Sequence, residues 1–389
     1  MMSHIDEALV ARARSAAATI APLGAQIEAA RRLPAAAVDA LVAAGVFKLL
    51  VPRVYGGSQA HPSTFIAVVE QIAQADGSAG WCTMIGATSG LMSAYLDEDL
   101  AREVYGPANA ITCGVFAPMG RAVKTEDGYR VSGRWPFASG CEHSQWRMGG
   151  AIVTSERGGG PAELLPNGAP DIRSILFRAD ETKVIDTWDT SGLRGTGSHD
   201  IEARDVVVPH GRTFSLLSGQ QKHAGYTLPF FGVLAAGVAA VGLGIGRAAL
   251  DGFVAIAKSK TPPGSKRTLA HRELVQLDVA RGEARLRAAR AFLYQAMEEA
   301  TAGWPADQTP SLALRARLRL AASHAAEEAA AVTALAYQAG GGAAIYAKSP
   351  LQRQFRDAHV VTHHLMVSPI ATQLAGRLLL ELESDTTTL

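Results

Sequence analysis

The sequence predicts an α+β protein in which a β domain separates two helical domains. Apolar residues recur at helical spacing over the first ~110 residues and again from about residue 223, whereas the intervening segments alternate with period two. The chain has 389 residues and 48% of them are apolar, which is enough for several domains around a large core. We expect an N-terminal helical domain (1–110), a middle β-barrel or β-sandwich domain (111–222) and a C-terminal four-helix bundle (223–389).

The N-terminal domain is predicted to contain several short helices. Helical spacing covers Glu7 to Ala44, and Pro34 opens a new helix within this stretch because proline lacks the amide that a helix interior needs. Gly45 is a suitable stop. Ser63 is expected to cap a helix that runs to Ala75. A further apolar helix is expected over Ala79 to Leu96.

The middle and C-terminal parts differ in period. Strands are expected over 128–133, 149–154, 174–178, 183–186 and 205–208. From about Leu228 the pattern is helical again, with long segments over Leu269 to Thr301 and Leu312 to Gly340. Long antiparallel helices of this kind make a four-helix bundle, and Ser349-Pro350 starts a further helix.

Composition excludes several classes of protein. A net charge of +1 argues against a broad nucleic-acid surface. The N-terminus, Met1 to Glu7, carries acidic residues where a signal peptide has basic and apolar ones. The apolar segment Phe230 to Leu243 is shorter than the roughly 20 residues that span a bilayer, which favours a buried core helix and no membrane partner. Three scattered cysteines indicate a reducing compartment, so we expect a cytoplasmic protein: Cys82, Cys113 and Cys141.

Two segments carry residues suited to ligand binding. The loop Trp188 to Asp200 combines three glycines with several hydroxyls, a composition that permits close backbone approach to a planar or phosphorylated ligand. On composition alone, an ordinary glycine-rich connection between strands is the commoner explanation. The second segment, Gly133 to Trp146, places Phe137 and Ser139 near a predicted strand end, where the serine alternatively caps a turn.

A third segment, Gly340 to Ala358, ends in Arg356-Asp357 and is followed by His363-His364. A histidine exchanges protons near pH 7, although histidine pairs are more often structural. His359 and His363 are four residues apart and share a helix face. Apart from Asp357, no acidic residue or cysteine lies nearby to complete a metal site, so no metal is expected.

These three segments, taken with the order of domains, resemble the flavin-dependent acyl-CoA dehydrogenase fold over nearly the whole chain. In such dehydrogenases a glutamate base usually precedes the proline of the third segment by two residues, and that position is Lys348 here. A protonated lysine cannot take a proton alpha to a thioester. The run Phe137 to Cys141, followed by an acid and a histidine, is closer to monooxygenases of this fold. It resembles the oxygenase components of phenol and hydroxyphenylacetate hydroxylases, and the thiophene-sulfur monooxygenases.

The resemblance implies roles for particular residues. His364, with His363 as the fallback, is expected to act as a base or to position a hydroperoxide, and Ser139 is expected to contact the flavin near N5. Trp81 and His143 are expected to line the substrate pocket, although a buried core tryptophan is the commoner case. Six residues are expected to bind the cofactor: Phe137, Ser139, Thr196, Ser198, Arg267 and Gln338. For Arg267 and Gln338, exposed bundle side chains are an equally common alternative.

The activity implied is that of a reduced-flavin-dependent monooxygenase. A separate NAD(P)H:flavin reductase supplies FMNH2 or FADH2, and O2 forms a flavin C4a-hydroperoxide that hydroxylates a small aromatic substrate such as a phenol, an indole or a polyketide ring. No G-x-G-x-x-G motif follows a strand, in keeping with a separate reductase. The resemblance also implies a homotetramer. Two alternatives stay open: an acyl-CoA dehydrogenase whose base has moved to Glu142 or Glu70, and a non-catalytic flavin-binding homologue.

Overall fold

A computed structural model of the chain describes residues 4–156, 160–216, 221–305, 308–387 and 389. Part of the N-terminal segment assessed above, residues 1–3, lies outside this range. Helices come first, then strands, then helices again, which confirms the α+β organisation.

The N-terminal part contains six helices within the described residues. Pro34 precedes the third of them and Gly45 ends it with a φ of 73°, both as expected. Ser63 was expected to cap the fourth helix, but His61 takes this place, because its Nδ1 accepts the Ser63 amide 3.1 Å away. The helices are α1 (Glu7–Ile20), α2 (Gly24–Ala30), α3 (Ala35–Ala44), α4 (Pro62–Ala75), α5 (Gly77–Ser89) and α6 (Glu98–Tyr105).

The middle part is one seven-stranded sheet with strand order β5-β6-β2-β1-β3-β4-β7, where a barrel or sandwich was expected. Only β1 and β3 run parallel among the described strand pairs. The long strand β1 was not predicted, because a register shift between Val115 and Gly120 interrupts its alternation. The strands are β1 (Thr112–Lys124), β2 (Gly128–Trp135), β3 (Trp146–Val153), β4 (Ile172–Arg178), β5 (Lys183–Ile185), β6 (Asp200–Pro209) and β7 (Thr213–Phe214).

Trp135, at the end of β2, occupies the centre of the sheet's core. It is fully buried, and its indole N–H donates to the Gly150 carbonyl oxygen 2.7 Å away. Three glycines, one on each of β1, β2 and β3, make room for the ring: a Cβ on Gly120, Gly133 or Gly149 would lie 2.5–2.7 Å from its carbon atoms. The strand end that leads to Phe137 and Ser139 is therefore fixed by a large, tightly packed side chain.

The C-terminal part is a helical bundle. Helix α9 packs against four others, α7, α8, α10 and α11. The helices are α7 (Phe230–Ser259), α8 (Glu273–Ala300), α9 (Leu312–Gly340), α10 (Pro350–Thr362) and α11 (Pro369–Leu379). The bundle expected from the sequence is present, with α11 added to it.

Helix α7 corrects one argument made from the sequence. Its apolar segment was judged too short to cross a membrane, but the helix has 30 residues and is long and apolar enough to do so. Its most apolar window is 89% buried inside the protein, which is typical of a core helix. A Cβ on Gly244 would lie 2.5 Å from the Glu70 carbonyl oxygen, so this glycine permits close contact with α4 and does not end the helix.

Candidate active site

A row of hydrogen-bonded side chains connects α5 to the loop between β5 and β6. The indole N–H of Trp81 donates to Ser139 Oγ at 2.9 Å, and Ser139 Oγ lies 2.6 Å from Ser198 Oγ. Ser198 Oγ lies 2.6 Å from Thr196 Oγ1, which donates to the Leu193 carbonyl oxygen at 2.8 Å. All four of these side chains are buried. We call this row, from Trp81 to the Leu193 carbonyl, the hydroxyl relay.

His364 lies against the start of the relay. Its ring centroid is 5.4 Å from that of Trp81, in an edge-to-face arrangement. Its Nδ1 accepts the Met366 amide at 3.3 Å, and the buried Arg319 of α9 donates to the Met366 carbonyl oxygen at 3.3 Å. Burial, and then the charge of Arg319, lower the pKa of His364 to about 4.

The protonation of His364 follows from these contacts. With a pKa of about 4, the ring is neutral near pH 7. A neutral imidazole has one N–H, and because Nδ1 accepts a hydrogen bond, we assign that proton to Nε2. Of the two roles expected for this residue, the geometry favours hydrogen-bond donation over removal of a proton.

His363 faces a different way. It is exposed, and its Nδ1 lies 2.8 Å from the His359 carbonyl oxygen. His359 makes the same contact with the Phe355 carbonyl oxygen at 2.7 Å. Of the two adjacent histidines, His364 is therefore the one against Trp81. Among the described residues no group of three His, Cys, Asp or Glu side chains is placed to hold a metal ion.

Phe137 supplies an apolar surface two residues from Ser139. Its backbone has a φ of 64°, a left-handed conformation that is strained for a bulky residue. Its side chain is 68% exposed, and its ring lies edge-to-face with Trp188 at 6.0 Å. A large aromatic ring held exposed at the cost of backbone strain is typical of a ligand contact. This position suits the expected contact with a flavin ring.

The glycines of the Trp188–Asp200 loop have a structural explanation. A Cβ on Gly192 would lie 2.5 Å from the Arg356 carbonyl oxygen, and one on Gly195 would lie 2.0 Å from Ile27 Cγ2. These two positions are thus required by packing against α10 and α2. The sequence predicts that the glycines let a ligand approach the backbone, whereas at Gly192 and Gly195 the protein itself fills that space.

Two buried carboxyl groups lie near this loop, and one of them bonds to it. Asp357 of α10 accepts the Leu193 amide at 2.6 Å, and Asp76 accepts the Ala79 amide at 3.0 Å at the start of α5. Burial raises the pKa of Asp357 to about 7, and the charge of Asp76 adds to the effect. Burial also raises the pKa of Asp76. The pair was not predicted, because only the folded chain brings residues 76 and 357 together.

Asp357→Asn is expected to remove a pH dependence of stability. The folded pKa of about 7 exceeds the unfolded value of about 3.9, so the folded state binds more protons between these limits. The free energy of unfolding therefore falls as the pH rises through this window. The asparagine oxygen still accepts from Leu193 but does not titrate. Urea unfolding should show the variant gaining stability relative to wild type from pH 5 to 7. Asp39→Asn, at an exposed carboxylate on α3, is the control. If the difference in free energy of unfolding between Asp357→Asn and wild type is the same at pH 5 and pH 7, the raised pKa of Asp357 is wrong.

Arg267 and Gln338 lie apart from the relay within one chain. Both are exposed, and Gln338 is 19 residues beyond Arg319 on α9, about 29 Å along the helix axis. Arg267 precedes Leu269, which packs near the same end of the bundle as Ala336. Their predicted contacts with the cofactor therefore require a neighbouring subunit or a long cofactor tail.

Lys348 and His143 also lie outside the relay. Lys348 is exposed and lines a surface cavity of about 300 Å³ with Glu28 and Arg353. His143 is half-buried, its ring centroid is 6.1 Å from that of Phe47, and burial lowers its pKa to about 4. It stands close to the Ser139 turn without bonding to the relay.

Arg319 was missed in the sequence. It is the last of three arginines, Arg315, Arg317 and Arg319, that alternate with apolar residues near the start of α9. Such a residue is either exposed or buried with partners, and the spacing alone does not decide between these. The structure shows that it is buried beneath the turn that carries His364.

The comparisons with known proteins agree with this geometry. The family model "Acyl-CoA dehydrogenase, N-terminal domain" matches residues 5–101, and "Acyl-CoA dehydrogenase, C-terminal domain" matches residues 236–369. The indole-3-acetate monooxygenase of Pseudomonas putida is 35% identical over 347 residues, which is 87% of this chain and 85% of that protein. The flavin-dependent monooxygenase oxygenase subunit HsaA of Mycobacterium tuberculosis is 30% identical over 367 residues, 87% of this chain and 86% of that protein.

Solved structures give the same result. A crystal structure of the HsaA monooxygenase of M. tuberculosis superposes with a TM-score of 0.88 at 26% identity, covering 98% of this chain and 99% of that chain. XiaF from Streptomyces, in complex with FADH2 and glycerol, superposes with a TM-score of 0.86 at 26% identity, covering 96% and 95%. The chain therefore belongs to the acyl-CoA dehydrogenase superfamily and, within it, to the flavin-dependent monooxygenases.

Proposed function

We propose that this protein is the oxygenase component of a two-component monooxygenase that hydroxylates a small aromatic compound with reduced flavin and O2. The observation that carries the proposal is that Trp81 contacts both Ser139 and His364, and that the exposed Phe137 precedes Ser139 by two residues. The related HsaA protein is named as an oxygenase subunit. A separate reductase therefore supplies the reduced flavin as FMNH2 or FADH2.

The residues present fit a flavin. Phe137 offers an apolar face, and Ser139, two residues later in the same turn, offers a hydroxyl oxygen. When bound, the flavin supplies the electrons and the site of reaction with O2. Thr196 and Ser198 lie behind Ser139 and hold it in place. The Nε2–H that we assign to His364 is the group placed to donate a hydrogen bond during oxygen transfer.

An aromatic substrate suits the same site. Trp81 and His364 meet edge-to-face, and such ring surfaces bind planar apolar molecules well. The related proteins named above include an indole-3-acetate monooxygenase. We therefore propose a phenol, an indole or a polyketide-type ring as the substrate class.

The alternative function, an acyl-CoA dehydrogenase with a relocated base, fits the structure less well. Glu70 is buried and accepts hydrogen bonds from Arg290 and Tyr294, all within 2.9 Å. Glu142 pairs with Arg32 and lies 3.7 Å from His199. Both proposed bases are thus engaged elsewhere, and among the described contacts of Trp81, Ser139 and His364 there is no carboxylate.

The test is stopped-flow absorbance of the protein with reduced FMN or FAD, mixed with aerated buffer. A long-lived species that absorbs well clear of oxidised flavin would support the oxygenase. The flavin that gives the longer-lived species is the expected cofactor. Immediate return of oxidised flavin, combined with bleaching of bound flavin by an acyl-CoA without O2, would instead support the dehydrogenase. Immediate return without such bleaching, and without hydroxylation of any phenol or indole offered, would reject both.

We also propose a homotetramer built on the C-terminal bundle and located in the cytoplasm. Large apolar side chains are exposed at the start of α8 and at both ends of α11, which is unusual for a monomer. They are Leu274, Leu277, Ile370, Leu379 and Leu380. The three cysteines are free, which suits a reducing compartment. Light scattering should give about four times the chain mass of 40.7 kDa.

A further inference from the structure

We propose that the hydroxyl relay makes this site selective for reduced over oxidised flavin by keeping Ser139 a hydrogen-bond acceptor. The inference rests on the proposed function, because it requires that a flavin ring lies against Ser139. It concerns residues that need not touch the flavin, namely Ser198 and Thr196, which act through Ser139 as positioning residues.

The direction of the relay follows from counting its protons. Three short contacts join Ser139 to Ser198, Ser198 to Thr196, and Thr196 to the Leu193 carbonyl oxygen. Each contact needs one proton, and the three hydroxyls supply three. The carbonyl has none to give, so Thr196 donates to it.

The remaining contacts are then fixed in turn. The proton of Thr196 is used, so Ser198 donates to Thr196 across 2.6 Å. The proton of Ser198 is then used, so Ser139 donates to Ser198, also across 2.6 Å. The contact at the Trp81 end of the relay is consistent with this direction, because the indole N–H can only donate and its acceptor is Ser139 Oγ. Ser139 is left with one unused lone pair and no free proton.

This state of Ser139 distinguishes the two redox forms of a flavin. The N5 of reduced flavin carries a proton and donates a hydrogen bond, whereas the N5 of oxidised flavin only accepts. Reduced flavin therefore finds a partner in the lone pair of Ser139, and oxidised flavin meets a second acceptor. A buried polar group left without its partner weakens binding by about 10- to 100-fold.

Such selectivity suits an enzyme that receives reduced flavin from another protein. Oxidised flavin is the commoner form under aerobic conditions and would otherwise compete for the site. The relay would let the protein reject it without any further contact. Selectivity of this kind belongs to the free energies of binding, and it can therefore be measured without turnover.

The test compares dissociation constants for oxidised flavin in air and photoreduced flavin without O2, in wild type and Ser198→Ala. Removing the Ser198 hydroxyl frees the Ser139 proton, which can then turn toward an oxidised N5. The dissociation constant for oxidised flavin divided by that for reduced flavin should be at least tenfold lower in Ser198→Ala than in wild type, mainly because oxidised flavin binds the variant more tightly. The midpoint potential of bound flavin should fall by about 30 mV for each tenfold loss of selectivity.

A second variant and two controls make the result specific. Thr196→Val should lower the ratio as well, since Ser198 would then donate back to Ser139, and this variant decides the matter if Ser198→Ala does not fold. Thr196→Ser keeps the hydroxyl and should retain the selectivity. Ser144→Ala removes another buried serine hydroxyl, one that donates to the Gly140 carbonyl oxygen outside the relay, and should not change the ratio.

The outcomes separate this inference from the proposed function. If wild type binds reduced flavin tightly but Ser198→Ala and Thr196→Val keep the wild-type ratio, the relay does not set the selectivity. If wild type binds oxidised and reduced flavin with nearly equal dissociation constants, the site has no selectivity and the inference is wrong. A protein that binds neither form of FMN or FAD would overturn the proposed function itself.

Discussion

Replacing His364 with alanine is expected to lower the rate of aromatic hydroxylation by about 10²- to 10⁴-fold while reduced flavin still binds. The ring lies against Trp81, and its neutral state places the N–H on Nε2. Loss of a positioned proton-bearing group affects the transition state more than the bound state. The rate of product formation in single-turnover experiments, together with the dissociation constant of reduced flavin, measures the two effects separately.

Two further variants distinguish the possible roles of His364. His364→Asn keeps an acceptor for the Met366 amide and an N–H donor, but it does not take up a proton. Recovery of much of the rate in this variant would identify hydrogen-bond donation as the role, whereas a rate as low as that of the alanine variant would identify proton removal. His363→Ala, at the exposed neighbour, should stay close to wild type. An alanine variant at 364 that changed only flavin affinity would exclude a catalytic role.

Replacing Ser139 with alanine is expected to divert most of the consumed O2 to hydrogen peroxide. Ser139 is the relay member two residues from Phe137, and without its hydroxyl the reduced flavin loses its proposed partner at N5. The reaction with O2 then proceeds without transfer of oxygen to the substrate. The ratio of hydroxylated product to hydrogen peroxide per O2 consumed is the measurement, and an unchanged ratio would contradict this role.

The same variant should also lose stability. The buried indole N–H of Trp81 would have no acceptor, at a cost of about 1–3 kcal/mol. Denaturant unfolding shows whether the protein remains folded under the assay conditions. Ser139→Thr restores the hydroxyl and should recover coupling, whereas Ser144→Ala should cost stability without changing the product ratio. Together these variants separate loss of the fold from loss of coupling.

The sequence was sufficient for the order of domains and for most helices. The spacing of apolar residues, with a period of 3.6 in helices and 2 in strands, is a local property of the sequence. It predicted the bundle helices and strands that overlap β2 and β6. Strand β1 was not predicted, because its register shift is set by pairing with β3, which begins more than 30 residues later. The full length of α7 was not predicted either, because its glycines are accommodated by α4 and α9, which lie far away in the chain.

The candidate site was predicted in part. The resemblance to a known family predicts roles for Ser139 and His364, and the structure brings both against Trp81. It did not predict that Thr196 and Ser198 lie behind Ser139, because their order depends on how the loop folds onto α2 and α10. The contacts of Asp357 with Leu193 and of Arg319 with Met366 join residues far apart in the sequence, and no local pattern predicts them.

The glycines around Trp135 restrict the order in which this chain can change during evolution. A methyl group at Gly120, Gly133 or Gly149 would collide with the indole ring, so no single replacement there is tolerated while the tryptophan is present. A smaller residue at position 135 would first leave a cavity, which a side chain at Gly149 could then fill, whereas one at Gly133 would still meet the Gly120 Cα at 2.7 Å. Descendants of this protein should therefore lose Trp135 before they lose any of the three glycines, and the two kinds of change should be found together.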